Sequence, residues 1–148
     1  MAWIGFVEHD QDRSIKVIAS CGDKHGYLKG IDVGWGSDPE GSGPTGAAVR
    51  TNRVQINRDF FASEHMKPWR DRAAKSGFQS SIAIPLSVDD KVLGVLSAYA
   101  EEPDAFDELE VRLLGDISKD VSRRLGQFQE SKQESELLQL GEPSPYSK

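Results

Sequence analysis

Ser80-Ser81-Ile82-Ala83-Ile84-Pro85-Leu86-Ser87-Val88, a pause at Asp89-Asp90, and then Lys91-Val92-Leu93-Gly94-Val95-Leu96-Ser97-Ala98-Tyr99-Ala100 decide the fold of this chain. Two long runs rich in Ile, Leu and Val, joined by two turn-forming residues, predict an antiparallel hairpin of central strands. Immediately downstream, Phe106-Asp107-Glu108-Leu109-Glu110 predicts a helix start. Asp107 can cap the amide of Glu110 while Glu110 reaches back, and Phe106 can meet Val111 across the cap. Leu109, Leu113, Leu114, Ile117, Val121, Leu125 and Phe128 then recur at helical spacing. Of these, Leu114, Val121 and Phe128 lie seven apart, the spacing of a coiled-coil seam, although Arg124 interrupts the repeat begun at Ile117.

Upstream, residues 3–8 and 15–21 read as a second hairpin, with Ile15, Val17, Ala19 and Cys21 on one face. Ile18 breaks that alternation. Residues 22–43 are rich in Gly, Asp and Ser yet hold Tyr27, Leu28, Ile31, Val33 and Trp35. That content predicts a packed loop closing over something. A short helix is expected at 44–51, a strand at 54–56, and a helix from about 67 to 76 with Pro68 in its first turn and Gly77 as its stop. The class is therefore α+β: a central antiparallel sheet of five to six strands, helices packed on it, and a long C-terminal helix.

Bulk properties bound the function. A length of 148 residues fits one domain with a polar end at 129–148. A net charge of −6 disfavours nucleic acid as partner, because phosphate neutralisation supplies most of that affinity. No apolar run approaches the roughly 20 residues that span a bilayer, and no signal peptide is visible. The expectation is thus a cytoplasmic chain with no membrane partner. The one cysteine, Cys21, fits a reducing compartment and, in phase with Ile15 and Val17, reads as a buried small hydrophobe.

Gly43-Pro44-Thr45-Gly46-Ala47-Ala48-Val49-Arg50-Thr51, Pro68-Trp69-Arg70, the 77–86 run, Leu93-Gly94-Val95-Leu96-Ser97-Ala98-Tyr99 and the 106–110 helix start, taken in order, resemble bacterial GAF domains. The subtype is the one found with GGDEF and EAL or histidine-kinase effector modules, which would include cyclic-di-GMP signalling. The resemblance implies a GAF/PAS-like sensor domain over 1–128 that lacks its N-terminal helix, followed at 129–148 by a polar signalling-helix extension and disordered tail. It also implies a covalently attached effector domain and a homodimer formed through the C-terminal helix. A pocket on one sheet face, roofed by 22–43 and 59–76, would take a small-molecule ligand of unknown identity. Carried over by position, its lining is Trp35, Asp59, Phe60, Trp69, Ser80, Ser81, Ala83 and Tyr99, though the two tryptophans could fill it themselves. Asp59 could instead cap the segment after it, and Arg70 could hold an anion or an ion pair.

The function expected is regulatory sensing of a small molecule, passed to an effector through the last helix. A ligand-free dimerisation domain is the alternative. A GAF-fold methionine sulfoxide reductase comes last, because a second thiol is missing, and the chain is expected not to be an enzyme. The cofactor stays open. A haem on one axial histidine, with His65 best placed, is the minor possibility. His9, His25 and His65 have no metal-ligand spacing, and the Gly-rich loop at 41–46 lacks a P-loop ending.

Overall fold

The computed structural model describes residues 1–141. In chain order it holds β1 (Ala2–Val7), β2 (Ile15–Cys21), α1 (Pro44–Thr51), β3 (Gln55–Asn57), α2 (Arg70–Ser76), β4 (Ser80–Val88), β5 (Lys91–Ala100) and α3 (Glu108–Gln139). Single 3-10 segments cover Pro39–Gly41 and Glu64–Trp69. The five strands form one antiparallel sheet in the order β2-β1-β5-β4-β3. The central pair is the expected hairpin, turned at Asp89 and Asp90 with φ of 51° and 63°. Two successive positive φ values twist the turn in the sense of the strands it joins.

Side-chain alternation divides the core between the two sheet faces. On one face Trp3, Val7, Ala83 and Val95 pack with Ile15 of β2, Val33 of the loop, and Ala48 and Val49 of α1. Beside them an aromatic cluster of Tyr27, Phe60, Met66, Trp69, Ala73 and Phe78 comes from the two closing segments and the connection into β4. On the other face Ile82, Ile84, Leu86, Leu93 and Leu96 meet Phe106 and Leu125. Each fully buried large side chain contributes roughly 1.5–3 kcal/mol.

The capping box of α3 is present: Asp107 accepts from Leu109 and Glu110, and the Asp107 amide donates to the Glu110 carboxylate. Val111, Leu114 and Val121 lie on the sheet with buried Ser118, Ser122 and Leu125. Small side chains at Ser118 and Ser122, both buried, let the helix sit close. The two hydroxyls bond to the helix carbonyls of Leu114 and Ser118 at 2.7 Å. Phe128 stacks on Phe6 with ring centroids 5.7 Å apart.

Three expectations are corrected here. Of the expected seam, Leu114 and Val121 face the protein's own sheet and Phe128 stacks on Phe6 while staying largely exposed, so the outward apolar stripe is Leu109, Leu113 and Ile117, 54–62% exposed. The polar stretch after Phe128 continues α3 unbroken to Gln139, because nothing between Gln129 and Gln139 breaks a helix. Of the tail expected over 129–148, residues 142–148 lie outside the described residues. α2 begins at Arg70, and Pro68 sits inside the 3-10 segment before it. Cys21 is exposed. It ends an edge strand whose residues 18–21 are exposed on both faces, after a register shift between Ile4 and Gly5. Among the described residues, no helix is long and apolar enough to cross a membrane.

Candidate functional site

Between the sheet and the two closing segments lies a cavity of about 20 Å³, room for roughly one water. Its floor follows from strand register. Ser81 pairs with Tyr99 and Ala83 with Ser97 across β4 and β5, and directly opposed residues share a face. Thr45 enters from the first turn of α1, and its hydroxyl lies 3.2 Å from that of Ser97. Tyr99 accepts a hydrogen bond from the Trp3 indole at 3.0 Å. Burial pushes the Tyr99 hydroxyl up to about 12, and burial, then the neighbouring Tyr99, raises that of Tyr27 further.

The roof is held by arginines acting on backbone. Arg72 of α2 donates to the carbonyls of Tyr27, Lys29 and Gly30 at 2.7–3.1 Å. Arg50 of α1 holds the carbonyls of Trp35, Gly36 and Gly41. Asp23 accepts from the amides of Tyr27 and Leu28. Each of these charge-assisted bonds replaces water on a loop that has few regular partners. Trp69 completes the roof. Its ring lies against Gly43, where an added Cβ would come within 2.4 Å. Glycine is therefore required there by proximity.

Of the residues expected from sequence, Trp69, Ser81, Ala83 and Tyr99 line this cavity, and the other four do not. Ser80 faces away, because neighbours on a strand point to opposite sides. Its hydroxyl donates to the Glu102 carbonyl at 2.6 Å. Trp35 is half-buried beyond the cavity, with its indole donating to Glu8, His9 against its edge and Arg13 above it. Phe60 is fully buried in the aromatic cluster. Asp59 is exposed and its carboxylate accepts from the Phe61 amide, the capping alternative. Arg70 pairs with Glu64 at 3.6 Å and donates to the Ser63 carbonyl. His65 is exposed and outside the lining.

Tyr27, Thr45 and Ser97 line the cavity but are not among the residues expected from sequence. Ser97 was reachable, since it stands two residues from Tyr99 on one strand and so shares its face. For Tyr27, in an irregular loop, no periodicity exists to point it inward.

Fold and site together define an α+β domain with a small cavity on one face of its sheet and a long helix on the other. The family model described as GAF domain matches residues 1–125, and the chain belongs to the GAF domain family. No curated protein matches it by sequence. Among solved structures it is similar to a GAF domain/HD domain protein from Geobacter sulfurreducens (16% identity, 86% of this chain and 80% of that one, TM-score 0.68). It is similar to the GAF domain of the Acinetobacter phosphoenolpyruvate-protein phosphotransferase (15%, 89% and 73%, TM-score 0.67). A type II free methionine-R-sulfoxide reductase from Thermoplasma acidophilum also matches (16%, 86% and 79%, TM-score 0.62).

The last of these, with further reductases of the same name, corrects the expectation that the chain is not an enzyme. The fold it shares with them serves catalysis as well as regulation, so the fold does not exclude an enzyme.

Proposed function

We propose that this chain is a small-molecule-sensing regulatory domain of a signalling protein, with the cavity as input and α3 as output. One observation carries this: β4 and β5 serve both. They present Ser81, Ala83, Ser97 and Tyr99 to the cavity, and Ile82, Ile84 and Leu96 to the helix side. A ligand that separates the closing segments from the sheet would shift these strands and so the seat of α3. Only a ligand with different affinities for the two arrangements can drive such a change. The output would be pairing of α3 with a second copy through Leu109, Leu113 and Ile117, passed on to an effector domain.

A ligand-free pairing domain is the second possibility. It is favoured by the small cavity, which the protein's own aromatic rings fill. A native mass spectrum of freshly purified protein separates the two. A mass excess over the 16.3 kDa chain supports sensing. A bare mass, with a melting temperature that rises with protein concentration and ignores small-molecule libraries, supports pairing alone.

A further inference from the structure

The lining of the cavity fixes the chemistry that it can hold. Its polar groups are neutral, the hydroxyls of Thr45, Ser81, Ser97 and the two tyrosines, and among the described residues no charged side chain lines it. Of the charges on the roof, Arg72 is committed to three carbonyls and Asp23 to two amides, and Arg70, paired with Glu64, is not among the lining residues. A carboxylate, phosphate or ammonium placed here would lose its water and gain no counter-charge. A neutral ring would lose little hydration and would meet aromatic walls. One further donor lies on the same face. Asn57 stands directly across from Ser81, 8% exposed, and its amide nitrogen is buried with no partner among the described residues.

Trp69 indicates size and shape. Its ring is buried, yet its N–H reaches only the Asp32 carbonyl at 3.4 Å, long for a hydrogen bond. It hangs where the 3-10 segment passes into α2, beside Arg70, whose Nε is buried without a partner among the described residues. Packing holds this ring in place, with little help from polar bonds. Resting on the sensing function above, we propose that the ligand is an uncharged, planar aromatic or heteroaromatic compound about the size of an indole. It takes the place of the Trp69 ring and hydrogen-bonds to the Thr45, Ser97 and Tyr99 hydroxyls, while residues 59–69 move outward.

Trp69→Ala removes the ring and leaves its space. 5-Fluoroindole, followed by its fluorine resonance, is titrated into this variant and into the unsubstituted chain, alongside 5-fluoroindole-2-carboxylate and 5-fluorotryptamine. Saturable binding of 5-fluoroindole to Trp69→Ala is expected, tighter than either charged analogue by about tenfold or more. Binding to the unsubstituted chain is expected to be weaker, because Trp69 competes. Equal or tighter binding of the anion or the ammonium would overturn the ligand class while leaving a binding site and the sensing function standing. Absence of saturable binding by all three, to a variant that still melts cooperatively, would overturn the site. If Trp69→Ala does not melt cooperatively, Trp69→Leu carries the same comparison.

Discussion

The two faces of the sheet are closed in different ways. The cavity face is covered in short pieces, α1 and the mostly irregular residues 22–43 and 59–76, held by separate fastenings: an aromatic cluster, Arg72 on three carbonyls, and Arg50 on three more. The opposite face is covered by a single regular element, α3, whose inner side packs on the sheet from Val111 to Leu125. Separate fastenings can be released one at a time, whereas a helix shifts as a unit. The first face is therefore suited to opening and the second to transmission, and α3 leaves its outer side available for pairing.

Substitutions should separate the two faces by size and reach of effect. Phe60 is fully buried at the centre of the irregular cover. Phe60→Ala should cost about 3–5 kcal/mol in denaturant unfolding. A loss below about 1 kcal/mol would mean that the cover is not tightly packed. High pH should act on the same face. The hydroxyls of Tyr27 and Tyr99 are both raised by burial, Tyr99 to about 12. A raised folded value contributes stability that is complete below the unfolded value, near 10, and that fades as pH climbs through the folded one. Phenolate absorbance should then appear for these two residues only together with unfolding. Their ionisation near pH 10 in a chain that remains folded would show that they are not enclosed.

Arg72→Met removes one fastening and should cost about 1.5–3 kcal/mol, with amide exchange speeding up around residues 27–31. Acceleration spread evenly over the sheet would show that the cover opens only with the whole fold. The smallest effect on stability is expected on the outer side of α3. Leu113→Glu, at a position 54% exposed, should change stability by no more than about 0.5 kcal/mol while abolishing self-association in sedimentation experiments. Self-association that survives it would place pairing elsewhere.

Regular elements were the legible part of this fold. The β4–β5 hairpin, α1 over Pro44–Thr51 and the Asp107 cap are written in local sequence, where periodicity and capping chemistry act over a few residues. Facing was harder. Ser80 and Ser81 look alike in sequence, and only pairing with Tyr99 across β5 sends Ser81 to the cavity. Cys21 keeps the phase of a buried residue on a strand whose end has no cover. The stripe on α3 showed which positions are apolar but not how the sheet would divide them, taking Leu114 and Val121 and leaving Leu113 and Ile117 outside. The cavity draws on Tyr27, Thr45, Ser81 and Ser97, whose association depends on the tertiary fold.

Coupling between the faces is tested most directly by sedimentation velocity of Trp69→Ala, with and without saturating 5-fluoroindole. A shared β4–β5 core predicts that filling the cavity changes the dimer dissociation constant by about fivefold or more. An unchanged association state with the cavity saturated would contradict it.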